Sequence, residues 1–254
     1  MNITNIFKPT NNLYLLNKIL GHLALVYLLF TGTVTEWMIV FAIYFVRVTI
    51  GATITLHRLL SHRSFQSPKW FEYLGSVIGV YGSGLSTIIW VAVHREHHRY
   101  PDTEKDPHSP WHIGFLNVQF RNQSVPTIKY VPDLIRSKFH MNLHQYHWAI
   151  NIVIMAILLY IDPRSILYAY LVPNIVYWHS GGFINTINHS KFGYRNYETN
   201  DRSVNNLLTG WFVSGEGWHN NHHHDQKNPK FGQKWYEFDL GWQIIKLIRL
   251  DKKA

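Results

Sequence analysis

Five long stretches of this chain are almost free of Asp, Glu, Lys and Arg: 19–35, 37–57, 73–94, 139–161 and 165–190, with Arg47 the single interruption. A helix that crosses a bilayer needs about 20 mostly apolar residues, and few folds accommodate such a pattern. With flanks such as Leu13–Leu16 included, four stretches predict spanning helices over about 13–35, 36–57, 144–161 and 165–188. The remaining one, 73–94, carries Gly75, Gly79, Gly82 and Gly84 and ends in a histidine cluster. It predicts a helix buried in the membrane or lying against it. A mean hydropathy of −0.12 hides this segregation, because the charge is concentrated elsewhere.

The connections complete the expected topology. Residues 31–36 join the first two spans, and Asp162-Pro163-Arg164 joins the last two. Both are tight turns, so each pair of spans forms a hairpin. The polar segments 58–143 and 189–254 then fall on the opposite side as a cap, and they carry 20 of the 24 Lys and Arg residues. The positive-inside rule places that cap in the cytoplasm. A cleaved signal peptide is the alternative for the N-terminus, since Lys18 precedes an apolar run, but a longer apolar segment follows at once. No repeat or linker divides residues 1–254, which read as one domain of an all-α, multi-pass membrane protein.

Histidine is the second constraint. There are 17, against no cysteine at all, which excludes disulfides, thiolate nucleophiles and cysteine-ligated metals. Nine of them stand in four clusters: His57 and His62; His94, His97 and His98; His189; and His219, His222 and His223. Each cluster lies where an apolar stretch meets the cap, or in the cap itself. On an α-helix, positions i, i+3 and i+4 share a face, so each H-x-x-H-H presents three imidazoles together. Five residues turn a straight α-helix about 140° past a full turn, so His57 and His62 suit two ions rather than one. Nine imidazoles are too many for one metal and suit two, with four or five nitrogens each. Imidazole accepts iron, copper, nickel and zinc alike.

The other histidines read differently. His22, His108, His112 and His179 stand alone and read as hydrogen-bonded or solvated residues. His140, His144 and His147 read as an interfacial face, and His224 as a spare base or ligand. No Glu-x-x-His pairs of the soluble di-iron type recur, and no Ser/His/Asp or Cys/His arrangement competes for the chemistry.

With these residues in view, the chain resembles the integral-membrane fatty acid desaturases of the acyl-CoA (stearoyl-type) delta-9 group. The matching stretches are HRLLSH at 57–62, WVAVHREHHRYPDTEKDPHSP at 90–110, NTINH at 185–189, GYRNYETNDRSVNN at 193–206 and GEGWHNNHH at 215–223. The match runs over about 45–240, and its last block looks more like bacterial and cyanobacterial members. The resemblance implies four membrane helices, a cytosolic helical cap, two irons and an acyl tunnel. Carried over by position, it implies His57, His94, His97 and His222 on one iron, with Asn185 holding a water. It implies His62, His98, His189, His219 and His223 on the other. Trp90 matches a position that lines the bend of the tunnel. Gly181 and Gly182 stand where animal members have Thr-Trp, which implies a reshaped tunnel.

The activity implied is insertion of a cis double bond, at delta-9 in this group, into a fatty acyl-CoA or acyl-lipid, with dioxygen and two external electrons. Gly82-Ser83-Gly84 is not a dinucleotide fingerprint, and no haem or cluster motif is present, so a separate small haem protein or ferredoxin must deliver them. A membrane di-iron hydroxylase or ketolase acting on alkyl, sterol or carotenoid substrates is the alternative, and a membrane metal-binding or transport protein the non-enzymatic one. The net charge of +9 suits anionic lipid at the cap, or an acidic donor steered by Arg95, Arg99, Lys227 and Lys230. Nothing points to nucleic acid.

Overall fold

The computed structural model describes residues 11–82, 85–120 and 128–251. Gly84 therefore lies outside the described residues. Among them, ordered structure is helical and only isolated bridges, such as Tyr194 with Asn205, have β character.

Helix α1 spans Asn11–Thr31 and α2 spans Val34–Ser61. The turn between them is short because Thr33 and Glu36 cap α2 reciprocally, each side chain bonding the other's backbone N–H. Helix α2 is α-helical to Val46 and π-helical over Arg47–Ser61. Next come α3, Lys69–Val80, and α4, Thr87–Arg99. A short helix α5, Phe115–Phe120, precedes the long α6, Lys138–Ile161. Helix α7, Val172–Ile187, is entered through a π-helical turn at Ile166–Leu171. Three further helices follow: α8 at Leu207–Phe212, α9 at His219–His224 and α10 at Leu240–Ile248.

Among the described residues, three helices are long and apolar enough to cross a membrane: Leu13–Thr31, Val34–Ser61 and Lys138–Ile161. The stretch expected as the fourth span is helical, but it is not among them. Asn174, His179, Ser180 and the two glycines dilute its apolar content. The lipid-facing character of the others is plain from their surfaces. Leu29, Phe30, Ile157 and Tyr160 are exposed.

The third stretch departs from a single helix. It forms α3 and α4, antiparallel pieces broken at Gly82, whose φ of 61° suits glycine. A Cβ at Gly82 would overlap the Asn174 amide, and its backbone is held by Asn17 and Asn151. The turn thus reaches into the middle of the apolar helices, anchored by one asparagine from each of α1, α6 and α7.

Helix α3 packs on the π-helical half of α2 through glycine. A Cβ on Gly51 would stand 2.9 Å from the Gly79 backbone. Around this contact Ile54, Leu56, Leu60, Phe71, Ile88 and Ile245 form the main core. Burying each such side chain contributes about 1.5–3 kcal/mol. At the far end the two hairpin turns meet: Arg164 pairs with Glu36 and donates to the Thr31 carbonyl. Both turns therefore lie on one side, opposite the histidines.

Candidate metal centre

The nine clustered histidines converge into two groups. In the first, ligand atoms of His57, His62, His94, His98 and His222 lie within 4.8 Å of one another. In the second, those of His97, His189, His219 and His223 do so. The Nε2 atoms face inward. His222 Nε2 is 3.0 Å from those of both His57 and His98, and His62 Nε2 is 2.8 Å from that of His94. His219 Nε2 lies 3.0 Å from that of His189 and 3.1 Å from that of His223.

This grouping corrects the one that the resemblance implies. His62 and His98 join the first group, and His97 joins the second. Two helical facts account for it. In a π-helix the hydrogen bonds run between residues five apart, as from His62 N to His57 O at 3.1 Å, so those residues become neighbours along the axis. His57 and His62 therefore aim at one point, their ring centroids 4.9 Å apart. In α4 and α9, residues i and i+4 lie about 40° apart around the axis and i+3 falls about 60° to the other side. His94 and His98 thus share a group, as do His219 and His223, while His97 and His222 cross to the other group.

Four carboxylates fix the inward tautomer. Nδ1 of His97 bonds Asp106, that of His189 bonds Asp102 and that of His223 bonds Asp201, at 2.9, 2.9 and 2.7 Å. His57 Nδ1 bonds Glu216. A proton held at Nδ1 leaves the Nε2 lone pair free for a metal. These acids went unassigned in the sequence although they sit in the matching stretches 90–110, 193–206 and 215–223. Their spacing from the histidines follows no helical rule, because loops supply Asp102, Asp106 and Asp201. Asp102, at φ 57°, and Asp106 belong to one turn that serves two histidines.

The electrostatics suit neutral ligands. Burial, reinforced by neighbouring imidazoles, holds His62, His94, His98, His219 and His222 well below the usual histidine range. Burial lowers His223 to about 4 despite Asp201. His97 goes the other way: burial opposes its charge, but Asp106 outweighs it and raises it. Burial tends to raise Asp106 and Asp201, yet the imidazole beside each holds it below the carboxylate range. The buried Nε2 of His97 and Nδ1 of His98, His219 and His222 have no hydrogen-bond partner among the described residues. An all-nitrogen donor set with its lone pairs converging fits a metal far better than it fits itself.

His108, read as a lone histidine, is not isolated. It is buried against His97, their ring centroids 4.4 Å apart, and with His97 and Asp106 forms a third group of potential ligands. Burial beside His97 lowers it to about 3. The remaining histidines stay outside. His22 and His179 face each other at 2.9 Å, His140 bonds Glu72, and His144 bonds Ser86. His147 bonds the His144 carbonyl, His112 bonds the Asp102 carbonyl, and His224 stacks on Tyr197.

Against the histidines lies a cavity of about 360 Å³. Trp90, Asn185, Gly181 and Gly182 all line it. The Trp90 ring stacks on His94, with centroids 5.1 Å apart. A Cβ on Gly181 would meet open space, whereas one on Gly182 would overlap Gln119 of α5. The residues expected to steer a donor divide. Arg95 is spent internally on Asp133 and the Leu60, Ser61 and Tyr130 carbonyls, and Lys227 reaches the His62 carbonyl. Lys227 is nonetheless exposed, as are Arg99 and Lys230.

Comparison with known proteins agrees with the geometry. Residues 35–249 match the model of a family described as fatty acid desaturase. The chain is 35% identical over 215 residues to an sn-1 stearoyl-lipid 9-desaturase of Anabaena variabilis, covering 82% of this chain and 78% of that one. It is 33% identical over 232 residues to an acyl-CoA C20 delta5-desaturase of Anemone leveillei, covering 87% and 74%. An sn-2 palmitoyl-lipid 9-desaturase of a Nostoc species is 35% identical over 79% of this chain and 74% of its own length. These relatives favour desaturation over hydroxylation.

Proposed function

This chain belongs to the fatty acid desaturase family and is an oxidoreductase that desaturates fatty acyl chains, and we propose that it does so with two irons held by the two histidine groups. The observation that carries this reading is the convergence of nine imidazoles, in groups of five and four, at one end of a cavity. Iron in these sites supplies the dioxygen chemistry that removes two hydrogens from adjacent methylenes. His57, His62, His94, His98 and His222 hold one ion, and His97, His189, His219 and His223 the other. Asn185, on the cavity wall, positions a water at the metal centre. Glu216, Asp102, Asp106 and Asp201 keep protons at Nδ1 and orient the rings. Trp90, locked by stacking on His94, forms the wall that fixes the acyl chain, and Gly181 leaves room beside it.

The acyl chain comes from a glycerolipid and receives its double bond at delta-9. Two features support that choice. The relatives at 35% identity include lipid 9-desaturases. The cavity also borders α5, whose Phe115, Leu116 and Phe120 are exposed in the manner of an interfacial helix. Helix α7 serves as a fourth span despite its polar residues, since these face α1, α2 and α5. The cap faces the cytoplasm, where a separate acidic haem protein or ferredoxin supplies two electrons per turnover. The test is expression in a desaturase-deficient host with analysis of fatty-acid methyl esters. A new cis-monoene bearing the bond at carbon 9 is expected, first in glycerolipid. A hydroxylated product, or none in cells containing the iron-loaded protein, would sink the reading.

A further inference from the structure

Arg47 is the feature that this function does not use. It lies near the middle of α2, ten residues and at most about 15 Å from His57 along the helix. It is 2% exposed and lines the cavity. Its guanidinium stacks over the Tyr177 ring at 3.7 Å and donates to Asn174 Oδ1. Among the described residues no carboxylate pairs with it. Two other inward-turned arginines differ in this respect: Arg58 pairs with Asp239 and Arg95 with Asp133.

The surroundings make the imbalance larger. Asn174 accepts from Arg47, and its own amide Nδ2 is buried without a partner, as are Arg47 Nε and the Tyr14 hydroxyl. All three residues line this end of the cavity, with Lys18 beside them. Every unmet group there can donate a hydrogen bond, and Arg47 is cationic, whereas Lys18 already bonds the Phe120 carbonyl and lies over Trp178. A buried charge without a counter-ion is costly, and ionisable groups at membrane depth persist where they serve a ligand. The methyl end of an ordinary acyl chain would satisfy none of them.

We propose that the Arg47–Asn174–Tyr14 end of the cavity is a carboxylate-binding site. A carboxylate accepts from an arginine edge and from neighbouring donors at once, and it cancels the charge. Given the reading that an acyl chain occupies the cavity, the site recognises chains that carry a carboxylate at the end remote from the ester. A small free carboxylate offers the same chemistry and is the other source.

The experiment uses the full chain in detergent and three probes: methyl octadecanoate, monomethyl octadecanedioate of equal length, and acetate. The ω-carboxylate ester should bind at least tenfold more tightly than the plain ester, and Arg47→Met should erase that preference. Asn174→Leu should weaken it without removing the cation, which keeps the test usable if Arg47→Met does not fold. Acetate raising Tm in an Arg47-dependent way, with no preference between the esters, would assign the site to a free carboxylate. Equal binding of both esters together with no effect of acetate would overturn the proposal. Failure to desaturate any chain, with the ω-carboxylate preference intact, would instead count against the enzymatic reading alone.

Discussion

Glu216 is the residue whose single change tests the metal reading most cleanly. It holds the Nδ1 proton of His57 and sits 3.7 Å from Arg58, so its charge serves two partners. Glu216→Gln keeps the shape and removes the charge. Iron content and activity should each fall about 10- to 100-fold, as is usual when the group behind a metal-bound histidine is lost, while the helical content stays intact. Asp133 supplies a pH signature at the same scale. Burial alone would raise it, but hydrogen bonds from Arg95 and Arg63 hold it at about 2. Its folded value lies below the ordinary carboxylate value, so its contribution is present above about pH 4 and fades as pH falls toward 2. The side chain is 30% exposed, so screening limits that contribution to about 1 kcal/mol. Thermal unfolding should show Asp133→Asn less stable than the parent at pH 7, with the gap nearly closed at pH 2. A gap that is the same at both pH values would refute this account.

The element that matters most is the π-helical half of α2, where α3 sits against Gly51. Gly51→Val would push the α3 backbone away and rotate the segment that aims His57 and His62. Stability should drop by about 1–3 kcal/mol, and metal content should fall with it. Gly181→Ala, whose new Cβ meets open space, should leave both unchanged. Elements also mark the boundary of what could be read from the chain. The hairpin turns, the apolar helices and the four histidine clusters are legible because apolar run length and helical spacing are local properties. The partition of the histidines between two sites is not. It depends on α2 adopting i→i+5 hydrogen bonding, for which HRLLSH carries no recognisable signal. The break at Gly82 is half legible: the glycines announce a weak helix, but the asparagines that hold the turn lie 65 or more residues away. The supporting carboxylates stood inside recognised stretches and lacked only a spacing rule to single them out.

At the scale of the molecule, charge and apolar surface divide between two faces. The helices expose apolar side chains around their girth, and α5 and α8 extend that surface under the cap through Leu116, Phe120, Leu208 and Trp211. If an acidic donor docks near the histidines, Arg99 and Lys230 are the free exposed candidates, whereas Arg95 is engaged internally and Lys227, though exposed, bonds the His62 carbonyl. Arg99→Glu with Lys230→Glu should slow reduction by an acidic donor about tenfold at low salt, and the difference should vanish at high salt. A stopped-flow rate that ignores both the charge reversal and the salt would remove these residues from the docking surface.

The crossing of His97 and His222 bears on how such a molecule comes into being. Neither helix owns a site: α4 lends one ring to the partner group, and α9 lends one back. A lone ion arriving at either place would have to recruit both helices at once, and in doing so it would set most of the rings awaiting the second. Newly made protein short of metal should therefore divide into empty and full copies, with few in between. Each copy would then be either inert or able to complete the reaction, and the cell would be spared a population that draws electrons and oxygen through a half-built centre.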